Sequence, residues 1–207
     1  MAQFFVIHSD NPQRRLICKA VEILRSGGVI VYPTDSCYAL GCHLSDKTAM
    51  ERLLQIRKMD VKHHLTLVCH DLSELATYAK VDNFQFRLLK KALPGSYTFI
   101  LRATREVPKC TLHPKRSTIG LRVPDHKVAL ALLEEMGEPI LSTTLLLPGE
   151  SEPLCDPYTI RDRLEHGVDL VIDSGGCGTE LTSIIDLTTD EPQLVRRGKG
   201  NVAIFGF

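Results

Sequence analysis

Gly28-Val29-Ile30-Val31-Tyr32-Pro33-Thr34-Asp35-Ser36-Cys37-Tyr38-Ala39-Leu40-Gly41-Cys42 is the stretch on which the reading of this chain turns. Its apolar opening reads as a buried strand over 29–32. A proline, three oxygen-bearing side chains and a glycine-punctuated return follow. Loops that leave the carboxyl end of a strand in an open α/β sheet are where ligands usually bind. Thr34, Asp35 and Ser36 offer hydroxyls and a carboxylate to a small polar ligand. The competing reading is a turn that caps its own backbone.

Working outward, apolar runs between turn residues place further strands over 4–8, 65–69, 97–101, 118–123, 139–143, 168–172, 183–186 and 193–196. Helical spacing of Leu16, Ile17, Ala20, Val21 and Leu24 marks a first helix, with Asn11 as N-cap, Pro12 at the first helical position and Gly27-Gly28 as the stop. Ser45-Asp46 caps a second helix whose apolar side carries Met50, Leu53, Leu54 and Ile56. This helix runs into a basic connector, 57–64. Helices are expected over 72–78, 84–92, 127–135 (capped by Asp125) and 160–164. Helices and strands alternate irregularly, so the expected fold is α/β, or α+β by strand order. It is a single domain over 1–207 around an open, twisted, mixed sheet.

The chain has 207 residues, 43% of them hydrophobic, enough for a substantial core. Lys plus Arg and Asp plus Glu both number 25, so overall charge argues for neither nucleic acid nor membrane. No apolar run approaches the roughly 20 residues of a membrane span, and the N-terminus lacks a signal-peptide pattern. Seven cysteines, none in a CxxC pair, suit a reducing cytosol, and the expected location is cytoplasmic. Cys37, Cys42 and His43 lack a second ligand pair for zinc. A Cys37–His43 nucleophile pair is conceivable but disfavoured.

No Walker A motif is present, and Gly175-Gly176-Cys177-Gly178 is not a dinucleotide fingerprint. A nucleotide must then be held by side chains and scattered amides. The candidates are Arg57, Lys58, Arg122, Arg196, Arg197 and Lys199. Arg122 and Arg196 each end an apolar strand, where a guanidinium suits bidentate phosphate or carboxylate binding. Each taken singly also fits a partly exposed ion pair. Thr143-Thr144 and Thr182-Ser183 are hydroxyl pairs beside strands, and His126 reads as part of a helix start. A second cationic set comprises Lys90, Lys91, Arg102, Arg105, Lys109, Lys115 and Arg116. Joined on one face with Lys62-His63-His64, it would make a surface for duplex or folded RNA recognised by shape. The alternative is a solvated face.

The residues Gly28 to Asp35, Leu53-Leu54-Gln55-Ile56-Arg57, Pro94-Gly95-Ser96-Tyr97-Thr98, Thr118-Ile119-Gly120-Leu121-Arg122-Val123-Pro124, Leu141-Ser142-Thr143-Thr144, Ser183-Ile184-Ile185-Asp186-Leu187 and Val195-Arg196-Arg197-Gly198 resemble the YrdC/YciO-like family of the threonylcarbamoyl-AMP synthase superfamily, within it the YciO branch. The similarity spans essentially the whole chain. It implies an open twisted sheet with a basic concave surface. The best-understood members make threonylcarbamoyl-adenylate from threonine, bicarbonate and ATP, a step of tRNA modification, and the fold is associated with double-stranded RNA or tRNA.

Carried over by position, Thr34, Arg122 and Thr182 correspond to substrate-binding residues. Arg57, Lys58, Thr118, Thr144 and Arg196 correspond to nucleotide-binding ones. The RNA surface falls to Lys62, Lys90, Lys91, Lys115 and Arg116. No catalytic residue is firm, no cofactor is bound tightly, and Mg²⁺ arrives with ATP if the protein is enzymatic.

Two motifs of the active synthases are altered. Arg57-Lys58-Met59 stands for Lys-x-Arg, and Thr144-Leu145-Leu146 for Ser-x-Asn. Each lost charge-assisted contact costs about 1.5–3 kcal/mol. The expected function is therefore binding of ATP or AMP, double-stranded or structured RNA, or both, in a basic cleft with weak or altered adenylate-forming activity. The alternative is an active L-threonylcarbamoyladenylate synthase.

Overall fold

The computed structural model describes residues 1–59, 65–111 and 117–207. Strands β1 (Gln3–Val6), β2 (Ile30–Tyr32), β3 (Ala39–His43), β4 (Thr66–Val68), β5 (Tyr97–Arg102), β6 (Thr118–Arg122), β7 (Ile140–Thr144), β8 (Leu170–Asp173), β9 (Ser183–Asp186) and β10 (Gln193–Arg196) join one sheet. Its order is β1-β8-β2-β3-β7-β4-β6-β5-β9-β10. The pairs β1·β8, β8·β2, β4·β6 and β5·β9 are parallel and the other five antiparallel, so the sheet is mixed, as expected from the sequence.

Helices α1 (Arg14–Arg25), α2 (Lys47–Arg57), α3 (Leu72–Tyr78), α4 (Asn83–Ala92), α5 (Lys127–Met136) and α6 (Pro157–Leu164) cover its two faces unequally. Alternation along the strands separates two cores. On one face Leu67, Phe99, Leu101, Leu121, Leu141 and Ile185 meet Leu53 of α2, Leu75 of α3, Leu89 of α4 and Ile160 of α6. On the other, Ile30, Tyr32, Ala39, Val68, Ile140 and Ile172 meet Ile17, Ala20 and Leu24 of α1 and Val128 and Leu132 of α5. That second cover stops short of β5, β6 and β9. The rest of the face is left open.

Local chemistry sets the helix ends. The Asp46 carboxylate accepts the Ala49 N–H at 2.9 Å, as Asp71 does from Glu74 and Asp82 from Gln85, each satisfying an orphan amide. Gly27 closes α1 in the left-handed region (φ +85°), with its N–H on Leu24 O.

Two expected starts differ. Asn11 and Pro12 do not open α1, whose N-cap is Gln13. Instead His8 Nδ1 accepts the amides of Asp10 (3.1 Å) and Asn11 (3.2 Å), and this turn delays the helix. Asp125 is likewise passed over, since the N-cap of α5 is His126, without a side-chain cap bond.

The return after Thr34 is also more regular than a loop, because it contains β3. Ala39-Leu40-Gly41-Cys42 is buried throughout and so shows no alternation to mark it. Its glycine has a packing cause: a Cβ on Gly41 would sit 2.8 Å from both the Ile140 methyl and the Tyr32 ring.

Candidate functional site

The open part of the second face is a cleft of about 320 Å³. Its floor follows from register. Thr66 of β4 lies beside Gly120 of β6, Gly120 beside Ile100 of β5, and Thr98 of β5 beside Ile184 of β9. Their neighbours Leu67, Leu121, Phe99 and Ile185 point the other way into the larger core. Arg57 and Met59 form one wall at the end of α2, Thr143, Thr144 and Leu146 another at the end of β7, and Thr182, Val195 and Arg196 a third. Two guanidiniums that are 139 residues apart in sequence thus face one hollow. Among its described lining residues there is no carboxylate.

Arg196 is held from below. Its Nε donates to Thr182 O at 3.0 Å and its Nη2 to Thr182 Oγ1 at 3.1 Å, while Thr182 Oγ1 and Thr98 Oγ1 lie 3.0 Å apart. Burial pulls its pKa below the ordinary arginine value, Cys37 opposes that shift, and nearby Arg122 adds to it. Arg57 is also half-buried, with its pKa lowered by burial and raised in part by Cys37. Its Nε is buried without a hydrogen-bond partner among the described residues. Lys58 is in the left-handed C-cap conformation (φ 47°), exposed, and outside the cleft lining.

Thr34 and Arg122 lie in an adjoining, buried polar cluster and do not line the cleft. Arg122 Nη2 donates to Thr34 Oγ1 at 3.1 Å, to Ser36 Oγ at 2.9 Å and to Asp35 Oδ1. The Arg122 and Asp35 side chains are only 8% and 10% exposed. Ser96 Oγ donates to Asp35 Oδ2 at 2.6 Å, and Lys199 Nζ to the Asp35 carbonyl. The loop also caps itself, with Thr34 Oγ1 accepting the Ser36 and Cys37 amides and donating to Cys37 O at 2.6 Å. The self-capping reading of the Thr34 loop is therefore realised, and Asp35 is turned onto Arg122. Arg122 Nε is buried without a partner among the described residues.

The remaining candidates are dispersed. Thr118 is buried on the same side of β6 as Gly120, in register with Arg102, and does not line the cleft. Thr144 lines it. Burial pushes the Cys37 thiol up, and His43 Nε2 instead meets Glu138 at 2.8 Å, so the two do not form a nucleophile pair. Lys90 and Lys91 are exposed on α4, which packs Leu89 and Ala92 into the core on the opposite side of the sheet. Lys62, Lys115 and Arg116 lie outside the described residues.

Sequence reasoning missed Thr66 and Thr98 as cleft residues. The available signal was a hydroxyl on the second face of an otherwise apolar strand. No group of three or more metal-ligating side chains occurs among the described residues. With no described carboxylate in the lining, the cleft does not fit a protein-held Mg²⁺. No helix among them is long and apolar enough to cross a membrane.

The Sua5/YciO/YrdC family model, described as telomere recombination, matches residues 22–198. The chain belongs to this family. Within the family it is 58% identical over 205 residues to the YciO protein of Escherichia coli (strain K12), covering 99% of this chain and 100% of that protein. The crystal structure of E. coli YciO matches its fold with a TM-score of 0.96 over the same shares. A threonylcarbamoyl-AMP synthase of Pseudoalteromonas translucida (strain TAC 125) is 34% identical over 143 residues, 67% of this chain and 75% of the synthase. P. abyssi Sua5 complexed with L-threonine shares the fold at 24% identity and TM-score 0.86, over 94% of this chain and 57% of that one.

Proposed function

We propose that this family member binds an adenine nucleotide in the cleft between Arg57 and Arg196 and has weak or altered adenylate-forming activity. The observation that carries this reading is the convergence of the two half-buried guanidiniums on a hollow with hydroxyls on its floor and walls. Its volume lies at the lower end of the roughly 300–1,000 Å³ usual for small-molecule sites. Kinship with threonylcarbamoyl-AMP synthases supports the chemistry by class. In that chemistry a carbamate oxygen attacks the α-phosphorus and pyrophosphate leaves, so cations must meet the departing charge. Here Met59 and Leu146 stand in the wall as apolar groups, which weakens that step. A threonine-like substrate at Thr34 and Arg122 would have to share the guanidinium with Asp35.

Duplex or structured RNA has less support as a partner, since Lys90 and Lys91 lie on the other face from the cleft. Calorimetric titration with AMP tests the main reading. Saturable heat that disappears in Arg196→Ala is expected, and an unchanged titration in that variant would reject the site. Threonine- and bicarbonate-dependent pyrophosphate release is expected to be low in the native chain and to rise in Met59→Arg/Leu146→Asn. Vigorous release by the native chain would favour a fully active synthase instead.

A further inference from the structure

Three of the five threonine hydroxyls that line the cleft are already engaged with one another or with a sulfur. Thr98 and Thr182 bond each other beneath Arg196, and Thr143 Oγ1 donates to Met59 Sδ at 3.8 Å. A hydroxyl that already gives its proton to a sulfur or to another hydroxyl is a poor extra donor to phosphate. Arg196 spends its Nε on Thr182 O, leaving part of its fork for a ligand. Arg57 is different: its buried Nε lacks a partner among the described residues, the kind of unmet donor an incoming anion would satisfy. Between and beside these two groups the threonines are interleaved with apolar side chains, among them Met59 and Leu146 in the walls. The floor is flat at Gly120, where a Cβ would already press on Thr66 Oγ1 at 3.0 Å. Glycine there lets a ligand approach the backbone closely.

One anionic group therefore finds strong donors here, and the body attached to it finds apolar and flat surface. A second and third phosphate would lie against thioether and isobutyl groups, which replace none of the water those charges lose. We propose that the cleft takes a nucleoside monophosphate in preference to a triphosphate, with Arg57 and Arg196 gripping its single phosphate. The inference rests on the nucleotide reading above and adds to it which nucleotide the site prefers.

Titrations of the full chain with AMP and with ATP, each with and without Mg²⁺ at one ionic strength, test it. The native chain is expected to bind AMP at least about tenfold more tightly than ATP in both conditions, the weight of one charge-assisted contact. Met59→Arg, which adds a forked cation beside Arg57, is expected to shift the AMP-to-ATP ratio about tenfold toward ATP. If that variant does not fold, Leu146→Lys carries the same expectation, and the native ratio decides in either case. ATP bound as tightly as AMP by the native chain overturns this inference and leaves the nucleotide reading standing. Heat from neither ligand overturns both.

Discussion

Replacing Asp35 by asparagine removes the carboxylate that answers Arg122 inside the fold. With side chains 8% and 10% exposed, the pair has little water to screen it, so it belongs with buried rather than surface ion pairs. Asparagine keeps the shape and an oxygen for Ser96, and the Lys199 bond to the main-chain carbonyl is untouched. What is lost is the negative charge, while the guanidinium stays buried with an Nε that already lacks a described partner. Breaking a buried pair from one side costs about 3–5 kcal/mol, against a total stability of about 5–15 kcal/mol for a domain. Urea unfolding followed by far-UV circular dichroism reads this directly, the chain having no tryptophan. With slopes of about 1–3 kcal/mol per molar, the midpoint should fall by 1 M or more. Asp35→Asn/Arg122→Met removes both charges, so its cost should be smaller than the sum of the single costs. A single-variant loss below about 1 kcal/mol, or strictly additive losses, would refute the assignment of a buried, coupled pair.

Two further outcomes are expected. Gly198→Ala would place a Cβ 2.2 Å from Leu181 O and 2.7 Å from the Thr182 carbonyl, backbone that carries the anchor of Arg196. We expect about 1–3 kcal/mol of destabilisation, a thermal midpoint lower by several degrees, and weaker AMP binding; an unaltered melting curve would contradict this packing. Burial holds the His126 imidazole below its ordinary pKa, with Asp35 and Asp125 opposing that shift and Arg122 adding to it. The unfolded chain then binds this proton more readily, so stability present above about pH 6.5 is lost as pH falls through the lower folded value. Urea midpoints measured between pH 7.5 and 5 should drop less in His126→Gln than in the native chain, and parallel slopes would remove His126 as the cause.

Strand and helix positions were legible wherever one side chain or a short run carries the physics. Val29 to Tyr32, Leu65 to Cys69 and Thr118 to Val123 are apolar enough to be strands in any neighbourhood, and β9 and β10 have the bounds read from their sequences. Asp46 and Gly27 set helix ends by local bonds alone. β3 escaped because a strand buried on both faces shows no alternation and a mid-strand glycine looks like a turn. The start of α1 escaped because His8 competes for the amides that would otherwise begin it.

For the site, the groups on offer can be read from the chain: guanidiniums at the ends of α2, β6 and β10, hydroxyls beside them, and Met59 and Leu146 where the resembling synthases carry polar side chains. Their grouping comes from the folded sheet alone. Strand order brings β4, β6, β5 and β9 side by side, so Thr66, Gly120, Ile100 and Ile184 become one floor. It sends Arg57 and Arg196 to that floor while Arg122 is retired onto Asp35, 87 residues away. The reason is physical. A side chain's direction is local, set by the pleat or the helix turn, but the partner that neutralises a charge is whatever the sheet's register carries to within hydrogen-bond reach.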